Sequence, residues 1–283
     1  MLYYAASFAQ DRTEDFSITL PEQKVSNSLY NKISYIDSRS DTSSLGLVQL
    51  GAFNKLASVV PKVHFSQQMV NVLQSLTDST AKNGELLFQV RQLSFAELPQ
   101  KFNEKGYFYL KANLYSKTNN RFLKIKSIDT IISIRAADVT RALFRNGSNV
   151  IAGFISNNLL KTPIDSTLYS FKDINRMDSI EKRKIKLYNV KTYTDGLYTS
   201  YESFKNQTPD MQATVEKQDI KVVAIYVVNE KGKTKKYRNK VFMQSLTGEY
   251  LISLRIMGTI NCRKEMMIFT FLVLPKCHQP KVK

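Results

Sequence analysis

Tryptophan is absent from this chain, and cysteine and histidine occur twice each, as Cys262, Cys277, His64 and His278. Two cysteines do not make a disulfide scaffold, and a chain with a large core needs no such staple. Two histidines leave little for a metal site or for imidazole acid–base chemistry, and only His278 sits beside a cysteine. No apolar run reaches the ~18 residues of a membrane-spanning helix. The best stretch, Met266 to Pro275, is far shorter and reads as a strand. Glycine-rich phosphate loops, nucleophile elbows and zinc spacings are also missing. Acidic residues are scarce: 24 Asp+Glu stand against 41 Lys+Arg, a formal charge of +17.

Such a surface favours anionic partners, whether acidic glycans, lipid head groups or nucleic acid. The plainer account is a basic protein whose lysines face water. A hydrophobic content of 43% is enough for a packed core and excludes global disorder. With 283 residues the chain is long enough for one large domain or two small ones.

The organising stretch runs from Tyr107 to Ile134. Phe108, Leu110, Ala112 and Leu114 alternate with Tyr107, Tyr109, Lys111, Asn113 and Tyr115, the period of a strand with one buried and one wet face. Lys117-Thr118-Asn119-Asn120 supplies the turn, since Asn tolerates positive φ. In the returning strand Leu123 and Ile125 have one parity and Ile128 to Ile134 the other, which predicts a bulge near Ser127.

Helices flank this hairpin. Phe65, Met69, Val72, Leu73 and Leu76 form one helical stripe, expected to run on towards a stop at Gly84. A second stripe, Val139 to Ile155, passes through Asn146 and Gly147 on the same face. This predicts one helix from an Asp138 N-cap to about Leu160, with a break at Asn146-Gly147 as the alternative. Short strands are expected at Ile33 to Asp37, Leu47 to Leu50, Phe53 to Val60 and Leu86 to Phe95. Further on, Leu187 to Tyr193, Leu197-Tyr198, Val222 to Val228, Tyr237 to Met243 and Tyr250 to Ile256 are expected to build a small antiparallel sheet. The predicted fold is α/β (α+β), a mainly antiparallel sheet with two helices packed on one face, followed by a small β-rich module. The expected divisions are 1–30 (residual signal segment and lead-in), 31–160 (α/β domain), 161–186 (linker), 187–256 (β-rich module) and 257–283 (divergent basic tail).

Met1 to Ala9 is uncharged and apolar, and Ala6-Ser7-Phe8-Ala9 fits the small-residue pattern that precedes signal cleavage. The segment is expected to be the end of a signal peptide, which places the chain in the periplasm or outside the cell.

Two clusters are candidates for binding. Lys231, Lys233, Lys235, Lys236, Arg238 and Lys240 form a run expected to bind anions. Alternation in a strand would point them both ways, so sequence-blind attraction is the expectation. Tyr107, Tyr109 and Tyr115 form a candidate aromatic platform for sugar rings or bases, with packing under a second domain as the competing account. Asp37-x-Arg39-x-Asp41 is expected to be a turn tied by local hydrogen bonds rather than a catalytic pair. The aromatics after Asp195-Gly196 are expected to fill a small core, and His64 to stand at a helix entry.

Tyr35-Ile36-Asp37-Ser38-Arg39 with Asp41-Thr42 and Gly46, then helix, three strands and helix, resembles uncharacterised secreted proteins of Gram-negative bacteria. The later segment Asp195-Gly196-Leu197-Tyr198 with Phe204, Asn206 and Pro209 is similar to theirs, so the resemblance spans about residues 30–255. After Ile260 the sequence departs from that pattern. At fold level the element order also looks like the auxiliary periplasmic components of ABC transporters that handle envelope lipid. The resemblance implies export but no activity. The expectation is a non-enzymatic binding or envelope-accessory protein with an anionic or glycan partner and no cofactor. A sequence-nonspecific nucleic-acid-binding protein is the alternative.

Overall fold

The computed structural model describes residues 12–51, 55–99, 104–136, 139–163, 166–192, 194–218, 221–228, 232–236, 243–246 and 249–251. The first 177 residues and those from Asp178 onward form two separate compact units.

In the first unit the order is β1 (Thr13–Phe16), β2 (Tyr30–Asp37), β3 (Gly46–Leu50), β4 (Lys55–Pro61), α1 (Phe65–Leu76), β5 (Gly84–Pro99), β6 (Glu104–Thr118), β7 (Arg121–Ala136), α2 (Val139–Ser156), β8 (Leu168–Tyr169) and α3 (Phe171–Asn175). Strands β1 to β8 make one eight-stranded sheet, ordered β1-β4-β3-β5-β6-β7-β8 with β2 also paired to β5. The expected antiparallel character holds for β3–β4 and for the run β5–β6–β7–β8. It fails for β1–β4, β2–β5 and β3–β5, which are parallel, so the sheet is mixed. Parallel partners need long crossovers, here through β3, β4 and α1, and no local signal announces them.

Two bulges set which way side chains face. In β5, Val90 pairs with Ala112 and Gln92 with Lys111, so Arg91 is the extra residue. Leu86, Phe88 and Val90 therefore share a face with Leu93 and Phe95 despite their opposite parity. In β7, Leu114 pairs with Lys126 and Tyr115 with Lys124, so the extra residue is Ile125, two positions before the predicted Ser127. The turn between β6 and β7 has Asn119 at φ +53°, as its residue type predicts.

The main core lies on the face carrying Phe108, Leu110, Ala112 and Leu114. Both helices contribute to it: Phe65, Met69, Val72, Leu73 and Leu76 from α1, and Leu143, Ile151, Phe154 and Ile155 from α2. Helix α2 is continuous through Gly147. A Cβ there would meet Phe95 Cε1 at 2.9 Å and Phe108 Cδ2 at 3.1 Å, so the glycine permits the close approach. Helix α1 does not run on towards Gly84. It ends at Leu76, whose carbonyl accepts from Val25 N–H while Thr77 turns to extended backbone.

The lead-in is a structural part of this unit. Phe16 is fully buried against Phe65, Phe95 and Phe144. Beyond it, Ile18 N–H donates to Gln68 Oε1 of α1 and Thr19 N–H to Ser148 Oγ of α2, strapping both helices. The expected linker also packs. Strand β8 pairs with the start of β7, and a capping box between Ser170 and Asp173 opens α3. Tyr169, Ile174 and Met177 join Leu87, Tyr115 and Phe122 in a second core on the opposite face of the sheet. That face is therefore not wholly wet.

The second unit holds most of α4 (Met177–Lys182), then β9 (Gly196–Tyr198), α5 (Tyr201–Lys205), β10 (Ala213–Gln218), β11 (Lys221–Val228), β12 (Thr234–Lys236), β13 (Met243–Leu246) and β14 (Glu249–Leu251). Two antiparallel three-stranded sheets form, β10-β11-β12 and β14-β13-β9. Lys186–Tyr188 is a 3-10 turn, not the strand expected from Leu187. Leu187, Tyr198 and Phe204 make a small core, with Tyr198 and Phe204 edge to face at 5.1 Å. Gly196 has φ +145°, and Pro209 Cβ would lie 2.5 Å from an added Cβ, so only glycine suits this crossing. The expected signal segment Met1 to Ala9 and the tail 257–283 lie outside the described residues.

Gly147→Ala should gain about 1 kcal/mol in helix propensity and lose about 1–3 kcal/mol to overpacking against Phe95 and Phe108. Leu110→Ala, on the same face, should cost about 2–5 kcal/mol. Urea melts check both. A stabilised Gly147→Ala variant would show that α2 does not press on β5 and β6.

Candidate binding face

The side of the sheet away from the two long helices is built by the other half of each strand's alternation. On β6 it carries Lys105, Tyr107, Tyr109, Lys111, Asn113 and Tyr115. Directly opposite on β7 stand Arg135, Ser133, Ile131, Asp129, Ser127 and Lys124. On β5 the neighbours of Tyr107, Tyr109 and Lys111 are Ala96, Ser94 and Gln92. The face has two halves with different fates.

At the Tyr115 end it is closed. Tyr115 is fully buried and packs edge to face on Tyr169. Its hydroxyl donates to Gln89 Oε1 at 3.0 Å and accepts from Asn113 Nδ2 at 3.0 Å. Asn113 Nδ2 also donates to Gln89 Oε1, while Gln89 Nε2 donates to Ile174 O at 2.7 Å and Ser38 Oγ at 3.0 Å. This buried network ties β5 and β6 to α3. The Lys124 ammonium lies 6.0 Å from the Tyr115 ring centroid and 5.7 Å from that of Tyr169. Tyr115 is thus removed from the aromatic platform, because Tyr169, Ile174 and Met177 cover it. Its signal in the sequence was the polar Asn113 two residues before it on the same face.

At the Tyr107 end the face is partly open. Lys105, Tyr107, Tyr109 and Lys111 are all half-buried, and Arg135, Ser133 and Ile131 beside them are exposed. The Lys105 ammonium sits 4.7 Å from the Tyr107 ring centroid, a cation–π contact that holds the ring in place. Lys111 Nζ lies 3.7 Å from Asp129 Oδ2. The small Ala96, Ser94 and Ser133 stand beside the tyrosines, with Ile131 opposite Tyr109. Tyr107 and Tyr109 are about 6.8 Å apart along the strand. Cations bracket them: Lys105 and Arg135 at one end, Lys111 at the other, with Asp129 as the one acid among these residues. This arrangement suits flat or puckered rings carrying negative charge.

The other candidates fall elsewhere. Lys233, Lys235 and Lys236 are exposed in the second unit, with Lys235 opposite Val227 and Lys236 opposite Tyr226. Lys231, Arg238 and Lys240 lie outside the described residues, as do Cys262, Cys277 and His278. Asp37 and Arg39 form a closed pair: Arg39 Nη2 reaches Asp37 Oδ2 at 2.8 Å and Nη1 donates to Ser44 O at 2.8 Å. Asp41 Oδ1 accepts from Ser43 N–H and Oγ–H. The cluster fixes the connection from β2 to β3. Next to it the Tyr35 ring stacks on Phe65 at 5.7 Å. Burial first, and then the Asp37 carboxylate, push the Tyr35 hydroxyl pKa well above its ordinary value. His64 is exposed at the entry to α1, beside Ser66 Oγ at 2.9 Å. Among the described residues no group of His, Cys, Asp or Glu could hold a metal ion, and no helix is long and apolar enough to cross a membrane.

No family model matches this chain, and no curated protein is detectably similar in sequence. Among solved structures, the crystal structure of protein XCC0632 from Xanthomonas campestris, of family DUF330, overlaps 59% of this chain and 99% of that chain, at 10% identity and a TM-score of 0.32. At that score the likeness assigns neither fold nor function.

Tyr115→Phe should destabilise the protein by about 1–2 kcal/mol, because Gln89 and Asn113 lose a buried partner. Tyr107→Phe should change stability by less than about 0.5 kcal/mol, since the ring contact with Lys105 survives. Thermal melts of the two variants measure the contrast.

Proposed function

We propose that this chain is an exported, non-enzymatic binding protein of the cell envelope, and that its ligand is an anionic glycan held on the Lys105–Tyr107–Tyr109–Lys111 row. The observation that carries the reading is the bracketing of two half-buried tyrosines by Lys105, Arg135 and Lys111 on a partly open sheet face. Tyrosine rings stack on sugar rings, and the cations meet the carboxylate, sulfate or phosphate groups those sugars carry. The resemblance of Tyr35 to Gly46 and Asp195 to Pro209 to secreted proteins supports the envelope as the setting. An auxiliary role beside a lipid-handling transporter is compatible with that setting.

Nucleic acid is the second reading, and Lys233, Lys235 and Lys236 favour it. Lys235 and Lys236 lie on the exposed strand β12 and Lys233 just before it, an arrangement that suits attraction to any polyanion.

Heparin, neutral dextran and single-stranded DNA, titrated into the full chain at several salt concentrations, separate the readings. Heparin binding should weaken roughly tenfold or more in Tyr107→Ala with Tyr109→Ala, as stacking contributes about 1–3 kcal/mol per ring. Replacing Lys233, Lys235 and Lys236 by Gln should instead remove a weak component that vanishes as salt rises. If the tyrosine variant binds heparin as the parent does, the proposed face is wrong. Tighter binding to DNA than to heparin, lost in the Gln variant, would favour the second reading.

A further inference from the structure

Strand β7 is paired along one edge with β6 over its whole length, but β8 meets its other edge only at Phe122 and Leu123. Among the described residues no strand pairs with that edge from Lys124 to Ala136. In an antiparallel pair, alternate backbone N–H and C=O groups point away from the partner, so this stretch presents a row of them outward. Such an edge is a template for another strand. Its side chains are also unusually apolar for an edge. Ile128, Ile132 and Ile134 are half-buried at the rim of the main core, and Ile131 on the other face is 43% exposed.

We infer that β7 is the interface of a two-fold symmetric dimer, in which the two copies pair antiparallel through this edge with Ile132 on the axis. The charge pattern selects that register. Opposed residues must share a face, so the numbers of each pair sum to an even value. Only with Ile132 opposite its own copy does Asp129 face Arg135 of the other chain, and by symmetry Arg135 face Asp129. Both are exposed and both lie on the outer face. The same register sets Ile134 against Thr130 and Ile128 against Ala136 on the inner face, and Ile131 against Ser133 on the outer. Centring on Ile131 would place Asp129 opposite Ser133, and centring on Thr130 would place Lys126 opposite Ile134. Neither gives an opposite-charge pair. Like charges directly opposed destabilise strand pairs, whereas opposite charges and branched apolar pairs stabilise them.

This inference does not depend on the glycan reading, but it has a consequence for it. A two-fold axis normal to the sheet keeps the outer faces of both copies on one side. The two Tyr107–Tyr109 rows then lie three strand spacings apart, about 14 Å. A polymeric ligand could meet both.

Sedimentation equilibrium of the full chain over a wide concentration range, without ligand, tests the dimer. The parent should be dimeric. Asp129→Arg alone and Arg135→Asp alone should each weaken association roughly tenfold or more, because like charges then face each other. The double variant Asp129→Arg with Arg135→Asp should restore it. Ile132→Lys, which opposes two ammonium groups at the axis, should give a monomer that keeps its far-UV circular dichroism spectrum. A parent that stays monomeric at every concentration, or a dimer indifferent to these charge reversals, would overturn the inference.

Discussion

A single extra residue in β5 sets the facing of everything packed on this sheet. A strand's side chains alternate, so a one-residue slip sends every later side chain to the other face. Arg91 makes that slip deliberately. Before it, β5 runs beside parallel β2 up to Val90; after it, the same edge takes up parallel β3 at Phe95 and Ala96. The break between the two partners falls at the bulge, and the chain crosses it through the connection that Asp37, Arg39 and Ser44 tie down. Without Arg91 as the extra residue, Leu93 and Phe95 would turn away from α2, and the aromatic cluster of Phe16, Phe95, Phe108 and Phe144 would not form.

The opposite face follows from the same register. Because Gln89, Asn113 and Tyr115 share it at one end, a buried polar network forms there and needs a cover. Ile174 supplies both the apolar cover and a carbonyl acceptor for Gln89. Buried polar groups are costly unless satisfied, so this segment is bound more specifically than a purely apolar patch would require. One acceptor, Asn113 Oδ1, stays without a partner. Past this end the face carries lysines, tyrosines and serines, whose polar groups suit contact with water or a ligand. One strand, β6, thus carries a core row, a buried network and an open row of tyrosines.

Much of this was legible locally. The stripe from Phe65 to Leu76 marks the buried face of α1 and its start, though not its stop, and the parity change in β7 announced a bulge found two residues from its expected place. Gly147 within α2 was legible as a close approach because it fell on the apolar face. The failures share one cause: they depend on partners distant in sequence. Parallel pairing of β1 with β4, or of β2 with β5, leaves no mark within either strand. Tyr115 looked like Tyr107 and Tyr109 because alternation gives the face but not what covers it. The residues that cover it, Tyr169, Ile174 and Met177, sit in a charged stretch that reads as a linker. The second unit was less legible, since a short strand such as β12 holds too few residues to show a period.

The central claim is that the tyrosines of β6 are divided, Tyr107 towards an open face and Tyr115 into a covered core. Nitration of tyrosine in the folded protein, mapped residue by residue by mass spectrometry, reads that division directly. Tyr107 should react early, and Tyr115 only after unfolding. Early modification of Tyr115 with Tyr107 protected would contradict the register and, with it, the binding face.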